Sequence, residues 1–321
     1  MHSFTELVSL FEERLHQHSP FPTRLPSLYE PCHYFLGIGG KRVRPVICLM
    51  ANEVFGDISE DAWHAAMGVE FFHNFTLIHD DIMDHAPLRR GKQTLHERNG
   101  LTAGILCGDV VSIYAYTHLA KIKNHLPAIL HLFNTTAIQV CEGQQLDMDF
   151  ENRQEVSLDE YIEMITLKTS VLLACSLKMG ALLGGATESN AGKLYEFGKN
   201  LGIAFQLKDD YLDAFGASEK TGKQTGGDIL ANKKTYLALS AYQQANAEQR
   251  AQLDLLQQSN KEQKVQETLA IFRDTKSDEA CRKAIADYSD KAFQCLEDAA
   301  VLNNRKQELR KLAEYLLERE S

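Results

Sequence analysis

Apolar residues spaced three and four positions apart recur through most of this chain. FTELVSLFEERL, VRPVICLMANEVFG, AWHAAMGVEFFHNFTLIHDDIMD, AGILCGDVVSIYAYTHLAKI and VSLDEYIEMITLKTSVLLACSLKMGALLGGA all carry the spacing. It gives each segment an apolar helical stripe that is buried only by packing against other helices. Strand-like alternation is nearly absent. Four of the seven prolines crowd SPFPTRLPSLYEP (19–31), which reads as an ordered loop, while Pro45 suits the first turn of a helix. Gly56, Gly91, Gly184-Gly185 and Gly226-Gly227 mark breaks, and nothing resembles an interdomain linker. The Gln-rich stretch 242–269 reads as two solvated helices. The expectation is one all-α domain over residues 1–321.

Composition narrows the function classes. Of 321 residues, 44% are hydrophobic and 24% charged, enough to bury a real core. The formal net charge of -10 argues against nucleic-acid binding, because a polyanion is repelled over most of such a surface. The seven cysteines are scattered, odd in number and without a C-x-x-C pair, which reads as reduced thiols in a cytoplasmic protein. The N-terminus lacks the basic and apolar regions of a signal peptide, and no run of about 18 apolar residues predicts a membrane span.

Against this background IHDDIMDHAPLRR (78–90) stands out. Asp80 and Asp84 lie four residues apart, roughly 40° around a helix, with Asp81 alongside. Three like charges within a turn destabilise a helix unless something compensates them. The motif alone fits either a solvated helix end or a Mg²⁺ site. QLKDDYLD (206–213) repeats the spacing with Asp209, Asp210 and Asp213, again behind apolar sequence. If the two helices face each other, six carboxylates surround a site able to hold several Mg²⁺ ions, with coordination positions left for a diphosphate.

Basic residues supply the other half. GIGGKRVRP (37–45) sets Lys41, Arg42 and Arg44 at a glycine loop running into a helix, a natural anion site. LRRGK adds Arg89, Arg90 and Lys92; LKTS adds Lys168 and Thr169; TGKQTGGDILANKK adds Lys223, Lys233 and Lys234. Any one of these is by default a charged surface loop. Recurring beside acidic motifs, they fit two diphosphates, one bridged by metals and one held by cations. His73 lies on nearly the same helix face as Asp80, two turns away, where a lone histidine is commonly structural.

GGKRVRP, LIHDDIMDHAPLRRG, GQQLD, LKTS and FQLKDDYLD, in this order, closely resemble the trans-prenyltransferases, the polyprenyl diphosphate synthases of the type I isoprenoid synthase fold. The resemblance runs from about residue 28 to residue 240. It implies an all-α, single-domain helical bundle with a central active-site cavity, usually a homodimer. It also implies condensation of an allylic diphosphate (C5 to C15) with isopentenyl diphosphate. By resemblance, Asp80 and Asp84 coordinate two Mg²⁺ ions and Asp209 a third, with Asp81, Asp210 and Asp213 in support. Arg89, Lys168, Lys223 and Lys233 match positions that hold the allylic diphosphate. Lys41, Arg44, His73 and Arg90, with backbone at Gly40, match those for isopentenyl diphosphate. Thr169 and Gln206 match polar residues beside the reacting carbons.

The sequence departs from the family in places. DDIMD lacks the two extra residues seen between the aspartates in bacterial short-chain enzymes. TGKQTGGD is one residue longer than the usual form, which makes Lys233, rather than Asn232, the match for the second lysine. The end keeps Arg319 but no strongly basic tail. In such enzymes bulky residues before the first motif cap the product pocket. Phe75 and Phe72, with small Thr76 between Phe75 and the motif, favour a C15 or C20 product. An ideal helix nevertheless puts Thr76 nearer the aspartate face, and both phenylalanines could equally be core. A class I terpene cyclase shares the fold and first motif, but 206–213 lacks the N-D-x-x-S-x-x-x-E pattern of its second. A silent partner subunit would tolerate a lost aspartate motif, and both are intact. A di-iron bundle needs Glu-x-x-His pairs, absent from these motifs.

Overall fold

The computed structural model describes residues 1–17, 21–216, 226–259 and 261–318, with backbone alone at 261 and 262. Helices α1 (Phe4–Gln17), α2 (Pro26–Leu36), α3 (Val43–Phe55) and α4 (Glu60–Met83) come first. A two-residue antiparallel hairpin follows, β1 (Leu88–Arg89) with β2 (Lys92–Gln93), in the register Leu88 to Gln93 and Arg89 to Lys92. Then come α5 (Leu95–Asn99), α6 (Leu101–Leu119), α7 (Leu126–Asn152), α8 (Leu158–Ile165), a π-helical turn (Thr166–Ser170) and α9 (Val171–Leu183). The remainder is α10 (Glu188–Phe215), α11 (Gly227–Leu230), α12 (Tyr236–Gln244), α13 (Ala247–Leu256), α14 (Lys261–Asp274), α15 (Ser277–Asp298) and α16 (Asn303–Glu318).

The chain divides into two compact units. The first comprises Met1–Phe133, Ser176–Gly192 and Val301–Leu309; the second comprises Asn134–Cys175, Lys193–Ala300 and Arg310–Ser321. In the first, α4 packs along α6 and α3, and α1 lies on α3. Phe11, Leu49, Met50, Phe71 and Leu119 are essentially inaccessible in its core. Ser59 caps α4 by accepting from the Ala62 N–H at 3.1 Å, and Glu60 and Asp61 complement the helix dipole in the first turn. Asp61 then accepts from the Lys123 and Asn124 N–H groups, tying the start of α4 to the chain beyond α6.

In the second unit one core joins Ala214, Leu237, Ala241, Leu269, Phe272 and Cys281. Another joins Phe150, Tyr161, Met164, Ile165, Ile203 and Leu207. The capping box of Ser157 and Glu160 starts α8.

Three local expectations change. Residues 26–31 are helical rather than loop, because Pro26 stands at the start of α2, where its missing N–H costs nothing. The Gln-rich stretch does form helices, yet α14 is not merely solvated: Val265 and Leu269 join a core and Lys264 is buried. Among the described residues, Leu158–Leu183 is long and apolar enough to cross a membrane, contrary to the sequence reading, but 72% of its most apolar 18 residues are buried within the protein. All seven cysteines are free thiols, five of them buried.

Candidate active site

In the first unit, α4 delivers the first acidic motif at its C-terminal end. Asp80 is half-buried, Asp81 buried and Asp84, which caps the helix, exposed. Asp81 is clamped by Arg89 of β1: Arg89 Nε donates to both carboxylate oxygens, at 2.8 and 2.9 Å, and Nη2 stands 2.7 Å from Oδ1. Such a bidentate pair commits Asp81 to the hairpin. The repulsion within the motif is thus relieved partly by an arginine that leaves the helix and returns on a hairpin.

The hairpin turn also aims Arg90. Arg90 and Gly91 both have positive φ, as a tight two-residue turn requires. The Arg90 guanidinium donates to the Gly39 carbonyl and lies against Gly40, where an added Cβ would come within 2.7 Å of it. Tyr34 of α2 holds the far strand by donating to the Gln93 carbonyl at 2.9 Å.

Arg42 is not a phosphate ligand in waiting. It is buried, left-handed at φ 51, and each of its three guanidinium nitrogens donates a hydrogen bond. Nε donates to Glu12 at 2.6 Å, Nη1 to Glu70 at 2.5 Å and Nη2 to the Leu36 carbonyl at 3.1 Å. Burial opposes its charge, but Glu70 and Glu12 outweigh that and hold its pKa above the ordinary value. Lys41 on one side is exposed. On the other, burial pulls the Arg44 pKa down to about 10, with Arg90 adding to the effect and Glu70 opposing it. Arg44 Nη1 lies 3.4 Å from His73 Nε2. Burial and the Arg44, Arg90, Arg89 and Arg42 cations keep His73 well below the usual imidazole range, hence neutral and able to accept. Lys41, Arg44, His73, Arg90 and Gly40 belong to one unit, where arginine cations surround the neutral imidazole.

The residues that the sequence suggests for limiting product length, Phe72, Phe75 and Thr76, lie on the same α4. Phe72 is buried and packs on Phe75 (ring centroids 5.6 Å apart) and on Phe133 (5.2 Å). Phe75 is half-buried and meets the His79 ring edge-on at 4.8 Å. Thr76 donates to the His73 carbonyl.

In the second unit, the π-helical turn carries Lys168 and Thr169. A π turn inserts a residue into the helical register and is common at functional sites. Here α7 approaches so closely at Gly143 that an added Cβ would overlap the Lys168 backbone. One turn on, Asp147 pairs with Lys168 Nζ at 2.5 Å. Between them the Gln144 amide is buried with no hydrogen-bond partner among the described residues. Thr169 Oγ1 lies 3.4 Å from Gln206 Oε1, and Gln206 Nε2 donates to Asp210 at 3.2 Å. Asp210 is buried, accepts from the Tyr161 hydroxyl, and takes a long bond from the Tyr236 N–H at 3.4 Å. Burial, with help from Asp228, pushes its pKa up to about 7 against these hydrogen bonds. Asp209 and Asp213 are half-buried on the same helix. Asp213 accepts from the Asp228 N–H at 2.9 Å, closing the start of α11. Lys233 is exposed and 3.4 Å from Asp228, while the adjacent Lys234 donates to the Phe150 carbonyl. Lys223 and Arg319 lie outside the described residues.

Among the described residues, no three His, Cys, Asp or Glu side chains converge tightly enough to hold a metal by themselves. That donor set still suits Mg²⁺, which takes one or two carboxylates and fills its octahedron with water and substrate phosphate. Asp80 and Asp84, on one face of α4, offer such a pair; Asp81 and Asp210 are held by Arg89 and Tyr161.

The sequence as a whole fits one family. Residues 25–274 match the polyprenyl synthetase family. The chain belongs to it. This prenyltransferase is 42% identical over 225 residues to a geranylgeranyl diphosphate synthase of Methanosarcina mazei, covering 69% of each chain. It is 34% identical to a short chain isoprenyl diphosphate synthase of Methanothermobacter thermautotrophicus, covering 92% of this chain and 91% of the other. Its fold matches a crystal structure of a geranylgeranyl pyrophosphate synthase at 41% identity and TM-score 0.93, over 100% of both chains.

The sequence reading missed Asp147 and Gln144 as individual residues, although GQQLD was visible. The signal was there: Gly143 and Asp147 are four apart, so a glycine and an acid share one helix face.

Proposed function

We propose that this prenyl synthase condenses isopentenyl diphosphate with an allylic diphosphate and releases a C20 diphosphate. The observation that supports it is the set of arginines around neutral His73, with Arg44 half-buried 3.4 Å from the imidazole and Arg90 exposed beside the Gly40 backbone. It favours a diphosphate that keeps its bond, which is the part isopentenyl diphosphate plays. Lys41, Arg44 and Arg90, with the Gly40 backbone, would bind that group, and His73 would accept a hydrogen bond rather than add charge.

Asp80 and Asp84 would hold two Mg²⁺ ions and Asp209 a third, with Asp81, Asp210 and Asp213 orienting them. Bound there, the ions would neutralise the leaving diphosphate. Arg89, Lys168, Lys223 and Lys233 would take up its remaining charge as the allylic C–O bond breaks. The Thr169 hydroxyl and Gln206 carbonyl oxygens would turn dipoles toward the allylic cation without capturing it. The proton lost after C–C bond formation would pass to the departed diphosphate. Phe75, backed by Phe72, would limit chain growth. The C20 product, rather than C15, rests on the geranylgeranyl diphosphate synthases to which the chain is similar. The relatives described above are named as synthases of prenyl diphosphates, not as cyclases.

We also propose a cytoplasmic homodimer. The exposed apolar side chains Leu101, Ile105, Leu106, Ile113 and Tyr116 of α6 support a covered surface.

The test is incubation of the purified protein with Mg²⁺, isopentenyl diphosphate and, separately, C5, C10 and C15 allylic diphosphates. A linear C20 alcohol after dephosphorylation, absent from an Asp80→Ala/Asp209→Ala variant, supports the reading. No elongation with any starter overturns it.

A further inference from the structure

The residue before the first acidic motif, His79, has an unusual seat. Its ring fills the space above Gly108 of α6, where a Cβ would overlap the imidazole. His79 Nε2 lies 3.2 Å from the Ile105 carbonyl oxygen, so the tautomer with a proton on Nε2 donates to α6. Asp109 stands 3.9 Å from the same nitrogen, and the Phe75 ring packs against the imidazole edge-on.

The helical geometry gives this contact a consequence. Successive residues turn by about 100°, so His79 and Asp81 project roughly 200° apart, on opposite sides of α4. His79 is pinned to α6 and Asp81 to Arg89 of the hairpin. Asp80 projects between them, about 100° from each, and Asp84 lies about 40° from Asp80. The last turn of α4 is therefore gripped on both flanks of the direction in which its two outward carboxylates point. Helix ends fray, and α4 stops at Met83, so the grip acts where the helix alone is weakest.

We propose that His79 is a positioning residue: wedged over Gly108 and bonded to the Ile105 carbonyl, it fixes the rotation of the last turn of α4 and so the Asp80–Asp84 pair that holds Mg²⁺. This rests on the Mg²⁺ reading of those aspartates given above. Loss of the wedge leaves the arginine cluster and the Asp81–Arg89 pair in place but frees one flank. Metal binding should suffer while isopentenyl diphosphate binding does not.

The test compares His79→Leu, which loses the donor, with His79→Gln, whose amide N–H can reach the Ile105 carbonyl. His79→Asn, polar but shorter, is a second loss variant should the leucine form not fold. Binding of Mn²⁺ with inorganic pyrophosphate is read by electron paramagnetic resonance, beside the half-saturating Mg²⁺ and the KM for isopentenyl diphosphate. The expected result is Mn²⁺ binding weakened fivefold or more in the loss variants, with half-saturating Mg²⁺ raised in parallel. The glutamine form should stay within twofold of wild type, and the KM should be unchanged throughout. Unaltered Mn²⁺ binding in the folded loss variants overturns the inference, as does equal weakening in the glutamine form. If the wild-type chain itself binds no Mn²⁺ with pyrophosphate, the metal reading of Asp80 and Asp84 falls, and this inference with it.

Discussion

Lys168 Nζ stands 2.5 Å from Asp147 Oδ2, one turn of α7 beyond the glycine on which the Lys168 backbone rests. The same two stretches of chain thus fix both the backbone and the ammonium of a residue assigned to the leaving diphosphate. Both partners are partly exposed, Lys168 by 25% and Asp147 by 38%, so the pair contributes little to stability.

Asp147→Asn is accordingly a test of position rather than of folding. Unfolding free energy should change by no more than about 1 kcal/mol. The kcat should fall tenfold or more, because Lys168 is no longer directed. Urea denaturation and steady-state kinetics on one preparation separate the two effects.

Product length should respond at Phe75. The ring sits between Phe72 and His79, and replacing it with alanine empties the space beside the motif. Phe75→Ala should give longer alcohols, read by mass after dephosphorylation. An unchanged product spectrum would assign the ring to the core alone.

Asp210 predicts an uncommon pH dependence of stability. Its folded pKa of about 7 lies above that of an unfolded aspartate, so the folded state binds more protons across that window. Its contribution is therefore greatest below about pH 4 and is lost as pH rises toward 7, by up to about 1.4 kcal/mol per unit. Urea denaturation with chelator present, at steps between pH 5 and 7.5, should show this slope in wild type and a flatter one in Asp210→Asn.

Arg42→Met should be among the costliest single changes in the first unit. It removes the ion-pair partner of the Glu70 carboxylate, which is 4% exposed and keeps, among the described residues, only the Asn74 amide as a side-chain donor in contact, and frees the left-handed corner between Lys41 and Arg44. Breaking a buried pair in this way costs about 3–5 kcal/mol. Denaturant midpoints would measure it, and Glu70→Gln in the same background should recover part of the loss.

The helical class was readable because burial imposes period 3.6 on any segment long enough to show it. The acidic motifs were readable because a helix converts spacing into shared faces. The partners of Asp81 and Asp210 were not, since Arg89 returns on a hairpin and Tyr161 comes from another helix. Arg42 misled for a related reason. Sequence shows three basic residues in a row of four, and only packing shows that the middle one faces inward to Glu12 and Glu70. Pro26 misled because a proline cluster signals loop unless one of its members opens a helix.

The π turn at Thr166–Ser170 bears on how this chain can vary in length. A π turn is an α-helix with one residue too many. Deleting any one of the five would let α8 run into α9 as a continuous α-helix with better hydrogen bonds. The shorter protein would close up neatly there and yet lose the offset that aims Lys168 at Asp147 and Thr169 at Gln206. A one-residue deletion that helix energetics favours is thus one that breaks the Lys168–Asp147 and Thr169–Gln206 contacts.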